Sequence, residues 1–398
     1  FEVGGVAGLI TYRACMPNNG NNQIIFNGSY DIKNITLKAT NIEAYMGGFA
    51  GLLGDYKLGG EESYTDPDGV IVKGTMATPI KFDTSVRVNV NNLQFDSPNS
   101  NHIGGFAGII YLNGLESSDS FTPAVSVSDI SIQGSESVGG FAGFVCSSNL
   151  PISPSVSVSN ATISAKDIVG GAVGKVLSTA LNSSVNISSC DISGSSNIGG
   201  AIGYIGWSEI GNRITVSESI VNATASNVGG AIGCCEKTNL NKVISVTKTS
   251  VSAGQNFAGG AIGLMKGDSL TTAQKDEFFN GTLTDFVYYS VNGVIDVNAG
   301  SSSTPQYSVT GKNYVGGVIG YAMSYTFNST ISNSNINVGE SATSNYVGGI
   351  LGRAELIRTN NDFQFALSYG KNGFTISGNN YVGGSFGAIY SSKVAWNT

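Results

Sequence analysis

A hydrophobic-Gly-Gly-x-x-Gly motif recurs eleven times in 398 residues, and no other feature limits the fold of this chain so tightly. Its paired glycines are Gly4 and Gly5, Gly47 and Gly48, Gly104 and Gly105, Gly139 and Gly140, Gly170 and Gly171, Gly199 and Gly200, Gly229 and Gly230, Gly259 and Gly260, Gly316 and Gly317, Gly348 and Gly349, and Gly383 and Gly384. From Gly170 to Gly259 the spacings are 29, 30 and 30 residues. Elsewhere they run from 31 to 35, with one of 43 and two of 57, which read as rungs carrying a long insertion or as degenerate extra rungs. A period of about 30 residues with one supersecondary unit per repeat is the signature of a solenoid.

Between the glycine motifs apolar residues alternate in pairs separated by an odd step. Val125 and Val127 are followed by Ile130 and Ile132, Val156 and Val158 by Ala161 and Ile163, and Val185 and Ile187 by Cys190 and Ile192. A period of two marks a strand with one buried face. The step of three keeps both pairs inward only if the chain bends between them. Each repeat is therefore expected to hold two short strands meeting at a corner, followed by a glycine strand. The resulting prediction is an all-β parallel solenoid of about eleven rungs, roughly 50 Å long at the inter-strand spacing. Residues 1–398 read as a single repeat domain with insertions near 55–85 and 265–295.

In Val138-Gly139-Gly140-Phe141-Ala142-Gly143-Phe144 neither alternating set is polar, so neither face of the glycine strand is expected to meet water. Paired glycines let a second backbone approach closely. That second layer is either part of the same chain or a neighbouring one, and the pattern leaves both open.

Composition narrows the class. The 55 glycines and 12% charged residues are about twice and half the usual shares. Glycine has no three-residue period, which excludes collagen, and regularly spaced Val and Ile exclude a disordered chain. A net charge of −7 with 20 dispersed basic residues argues against a nucleic-acid partner. No apolar run approaches the ~18 residues of a membrane span. The chain opens inside a motif at Phe1, which reads as a processed product or a piece of a longer polypeptide.

These Val/Ile-Gly-Gly-x-x-Gly units, each followed by Ser/Asn-rich alternating strands, resemble the GLUG repeats of bacterial and protist surface proteins and adhesins. That family's Gly-Gly-Leu-Val-Gly appears here as Gly-Gly-Phe-Ala-Gly (Gly104 to Gly108) or Gly-Gly-Ala-Ile-Gly (Gly199 to Gly203). The resemblance implies an extracellular or cell-surface repeat protein of structural or adhesive type, and it carries no catalytic residue. The expectation is a non-enzymatic filament subunit or adhesin stalk without cofactor or metal, associating with itself head to tail or laterally. The alternative is a β-helix that binds or cleaves carbohydrate, with a glycan as ligand.

Candidate sites follow from offsets within the repeat. Phe257, Tyr314, Tyr346 and Tyr381 each stand two residues before a first glycine and are expected to stack as an aromatic ladder, a structural device that could also pack against sugar rings. His102, the only histidine, shares that offset and is expected in the same column rather than in a triad or zinc site. Asp55 to Asp68, with Asp66-Pro67-Asp68-Gly69, lacks the spacing of a calcium loop and reads as a solvated turn, as do Asp268, Asp276 and Glu277. Cys190 reads as a small buried hydrophobe. Cys146, Cys234 and Cys235 are open to bridging, and five cysteines leave at least one thiol free or paired between chains. Among the Asn-x-Ser/Thr sequons, Asn34, Asn160 and Asn186 are the candidate glycosylation sites.

Overall fold

The computed structural model describes residues 2–10, 24–39, 44–54, 63–65, 71–73, 80–82, 85–112, 121–146, 153–271, 273–274, 277, 280, 287–300, 307–340, 343–360, 363–368 and 374–394. Within them the chain winds as a parallel β-solenoid of eleven rungs. The rung starting at Ser155 shows the unit. A long Ser-rich strand (Ser155–Ser159) turns into a short one (Thr162–Ser164), then come a pre-glycine strand (Asp167–Gly170), a post-glycine strand (Val173–Leu177) and a closing strand (Ala180–Leu181). The next rung begins at Ser184 with Val156 opposite Val185 and Val158 opposite Ile187. Stacking such rungs gives eleven-stranded pre-glycine and post-glycine sheets, a 17-stranded Ser-rich sheet and a six-stranded closing sheet.

The alternating pairs face inward as their period requires. Val127, Val158 and Ile187 form one buried column, and Ile132, Ile163 and Ile192 another. The odd step between the pairs is a single residue in the left-handed region, with φ 51° at Asn160 and 53° at Asp129. Asn and Asp tolerate that conformation best among side-chain-bearing residues, which explains their recurrence at this corner. One apolar core runs continuously from Ile10 to Phe363. Near its start Phe49, Phe106 and Phe141 stack face to face at 5.1 and 5.3 Å.

The stretch read as one glycine strand is two strands. The chain bends at Gly140–Phe141, so that Glu136–Gly139 and Ala142–Cys146 belong to different sheets. The bend places the second glycine against the Ser-rich wall: a Cβ at Gly140 would lie 2.7 Å from Val158 Cγ1 and still closer to the Gly171 carbonyl oxygen. The third glycine is equally constrained, since a Cβ at Gly143 would lie 2.6 Å from the backbone of the preceding rung at His102. The two glycine sheets thus pack on each other and on the Ser-rich wall of the same chain, which answers the question of what covers them.

Both 57-residue gaps hold insertions and no extra rung, because Gly47 pairs directly with Gly104 and Gly259 with Gly316. The first insertion contributes an antiparallel pair, Ser63–Thr65 with Ile71–Lys73, and a strand Ile80–Phe82 that pairs with Ile24–Phe26. The second contains helical residues at Ala273, Gln274, Glu277 and Asn280.

Candidate functional site

Two columns of side chains share the outer surface of the glycine sheets. One comes from the position two before each first glycine, where the backbone again takes positive φ: 56° at His102, 60° at Phe257, 58° at Tyr314, 54° at Tyr346 and 56° at Tyr381. The other comes from the post-glycine strand, where Ile109, Phe144, Lys175, Tyr204, Cys234, Leu264, Tyr321 and Arg353 follow one another in register.

The predicted aromatic ladder is present. Phe257 stacks on Tyr314 at 5.1 Å, Tyr314 on Tyr346 at 5.0 Å and Tyr346 on Tyr381 at 4.5 Å. These face-to-face contacts run along the solenoid axis, so each inner ring has both faces occupied by its neighbours. A sugar approaching from the side therefore meets ring edges, and the ladder serves as a strut. Arg353 braces it, with its guanidinium carbon 4.5 Å from the Tyr390 ring centre and 5.4 Å from that of Tyr321. Arg353 Nη2 also pairs with Glu355 at 2.7 Å, and the Tyr321 hydroxyl donates to the same carboxylate at 2.8 Å.

Two further ladders lie outside the glycine motif. One residue before the rings, Asn313 donates to Asn256 at 2.8 Å, Asn345 to Asn313 at 3.1 Å and Asn380 to Asn345 at 2.9 Å. Nine residues after the first glycine, buried hydroxyls pass from rung to rung. Ser208 Oγ accepts the Thr179 N–H at 3.1 Å and donates to the Gly206 carbonyl at 2.6 Å, and Thr238 Oγ1 receives the Ser208 N–H in the same way. At the equivalent place Tyr325 supplies its hydroxyl to the Thr238 N–H. Both ladders leave a sequence signal, a polar residue at constant distance from the glycines, which is visible only once the repeats are aligned.

The aromatic column is interrupted in the middle of the solenoid. Between His102 and Phe257 the same offset holds Ser137, Ile168, Asn197 and Asn227. Beside this break lies an open cavity of about 290 Å³ lined by Glu136, Asp167, Ile168, Lys175, Leu177, Asn197 and Tyr204. Glu136 and Asp167 are register partners on adjacent rungs. Burial and the Asp167 charge raise the Glu136 pKa above the usual carboxylate value, and burial raises that of Asp167 despite hydrogen bonds from Ile168, Ser196 and Asn197. Lys175 is only 7% exposed, its ammonium 6.0 Å from the Phe144 ring centre and 5.9 Å from that of Tyr204. Tyr204 donates to Glu236 at 2.8 Å, and burial pushes its pKa well up.

The other predicted residues are dispersed. His102 sits in the ladder column 5.4 Å from Tyr45 and lies 5.6 Å from Phe144 of the post-glycine column, and burial lowers its pKa to about 4. Cys190 is buried at its inward position, and Cys146, Cys234 and Cys235 are buried too, with no disulfide among the described residues, so the bridge left open for those three is not formed there. Burial raises the pKa of Cys235 to about 12, as expected of an inert thiol. Asp268 departs from a freely solvated turn, because its carboxylate pairs with Lys237 at 2.6 Å and accepts the Tyr289 hydroxyl at 3.3 Å, tying the second insertion to the rungs. Asp55, Asp66, Asp68 and Asp276 lie outside the described residues. Asn34, Asn160 and Asn186 are all exposed, the first two at the corner and the third on the outer face of a Ser-rich strand. Among the described residues no group of three His, Cys, Asp or Glu side chains could hold a metal ion, and no helix is long and apolar enough to cross a membrane. No family model, curated protein or solved structure matches the chain.

Proposed function

We propose that this protein is a non-enzymatic extracellular structural element, the subunit of a surface filament or the stalk of an adhesin, built from GLUG-like repeats. The observation that carries this reading is the unbroken register of the columns through eleven rungs. One continuous core flanked by aromatic, amide and hydroxyl ladders makes a rod that resists bending, because any kink separates stacked side chains in several columns at once. The first and last described rungs support self-association. Val6 and Leu9 are exposed at one edge and Tyr381, Val382, Ile389 and Tyr390 at the other, and both edges carry the same columns. Such edges accept a further rung, supplied by more of the same polypeptide or by another copy.

Electron microscopy of the protein from its source tests the proposal. Rods that lengthen in increments of the roughly 50 Å solenoid, or a stalk of that kind on a cell surface, are the expected result. Uniform isolated rods with no contact at either end remove the filament reading. Turnover of polyuronides or other polysaccharides by the purified protein overturns the non-enzymatic one.

A further inference from the structure

The break in the aromatic column is a built vacancy. Where Tyr314 and Tyr321 occupy one rung, their rings lie side by side at 5.9 Å and fill the outer surface between the two columns. Three to five rungs earlier the partner column still carries large side chains, Phe144, Lys175 and Tyr204, but the ladder column has shrunk to Ser137, Ile168 and Asn197. The missing rings leave the 290 Å³ cavity. Its floor is apolar, from Ile168 and Leu177, and its rim is polar.

The rim differs from the rest of the molecule. The position of the amide ladder, held by Asn256, Asn313, Asn345 and Asn380 further along, is taken here by Glu136 and Asp167. Two carboxylates one strand spacing apart destabilise each other unless something lies between or beside them. Asp167 is oriented: its Oδ1 accepts the Ile168 N–H at 3.0 Å, and Asn197, which accepts from Asn227 at 2.8 Å, donates to it. The Glu136 carboxylate makes no side-chain hydrogen bond among the described residues, and the residue is exposed at the mouth. The site thus combines an apolar floor, an aromatic side wall, one fixed and one open carboxylate, and an ammonium held against the rings. An apolar base with a few convergent polar groups is the usual constitution of a small-ligand pocket.

We propose that this notch binds one residue of a neutral glycan, whose ring takes the place of the absent ladder ring. The apolar face of a pyranose would cover Ile168 and Leu177, and adjacent hydroxyls would donate to Glu136 and Asp167. Two carboxylates at the mouth disfavour uronates and sialylated chains, so the selectivity is for uncharged sugars. The site uses a part of the surface distinct from the Phe257 to Tyr381 ladder and is independent of whether the rods polymerise.

The test is a glycan array probed with the full chain, followed by calorimetric titration of the responding oligosaccharide. Asn197→Tyr rebuilds the Tyr314–Tyr321 arrangement beside Tyr204 and fills the notch with protein. Its backbone already has φ 57°, close to the 58° of Tyr314, so the ring is conformationally acceptable. The expected outcome is binding of neutral oligosaccharides by the wild type and at least a tenfold loss in Asn197→Tyr and in Glu136→Gln, with circular dichroism unchanged. Glu136→Gln alters an exposed side chain and keeps the test valid if Asn197→Tyr does not fold. An array on which no neutral glycan responds, a response confined to acidic glycans, or full affinity in Glu136→Gln and in folded Asn197→Tyr overturns the proposal.

Discussion

Replacing Gly140 by Ala tests the reason for the paired glycines most directly. Neither glycine of any motif has positive φ, which among the described glycines occurs at Gly28, Gly54, Gly300 and Gly339. Glycine is therefore required at Gly140 for space. An added Cβ would sit 2.7 and 3.1 Å from the two γ carbons of Val158 and closer still to the Gly171 carbonyl oxygen, which accepts the Gly140 N–H at 3.0 Å. Side-chain overpacking alone costs about 1–3 kcal/mol. Here one of the opposing atoms is backbone, so relief requires separating two hydrogen-bonded rungs and forfeits roughly another 0.5–1.5 kcal/mol per bond. The expected destabilisation of Gly140→Ala is about 2–4 kcal/mol. Gly384 occupies the same place in its motif, yet a Cβ there meets nothing within 4 Å. Gly384→Ala should be neutral or stabilising by up to ~1 kcal/mol through the unfolded chain. Chemical denaturation of both variants, with hydrogen exchange to locate the loss around Val158 and Gly171, measures the contrast. Equal stabilities for the two variants would refute close approach as the function of the second glycine.

Three other outcomes follow from the ladders. His102 is held neutral by burial, with a pKa near 4 against 6.5 in the unfolded chain, so the unfolded state binds the extra proton and stability falls as pH drops from 6.5 towards 4. At ~1.4 kcal/mol per unit the loss is on the order of 3 kcal/mol, and His102→Asn, the residue of Asn197 and Asn227 at this offset, should flatten that part of an acid-denaturation profile. Ser208→Ala removes the acceptor for the buried Thr179 N–H and should cost about 1–3 kcal/mol in denaturant unfolding, whereas Ser208→Thr, matching Thr179 and Thr238, should be close to neutral. Tyr314→Asn keeps a residue suited to φ 58° but deletes the ring contacts with Phe257, Tyr321 and Tyr346, for an expected loss of about 1–3 kcal/mol, against little change in Tyr314→Phe, whose ring is already accepted at Phe257.

Much of the architecture was legible because a solenoid is nearly one-dimensional. A side chain's neighbours are its counterparts one period away, so Val127, Val158 and Ile187 could be assigned to one column from spacing alone. The ladder of Phe257, Tyr314, Tyr346 and Tyr381 followed by the same rule. The pocket did not follow, because it arises between columns that come from different strands of the rung. Ser137, Ile168 and Asn197 appear in the sequence only as breaks in an aromatic series, and nothing in the series reveals that Lys175 and Tyr204 stand beside them.

The order of residues by itself determined the period, the inward faces and the number of rungs, since each depends on a repeat interval of backbone geometry. Folding decided how the rung closes. Whether the glycine stretch continued straight or bent at Gly140–Phe141 depended on contacts with Val158 and the next rung, residues that the chain brings close only after it has turned a full circuit. The same holds for the corners, where His102, Phe257 and Tyr314 share a left-handed backbone with Ser137 and Ile168, so the closure of the rung, and not the side chain, imposes a conformation whose local cost is roughly 1–2 kcal/mol per residue.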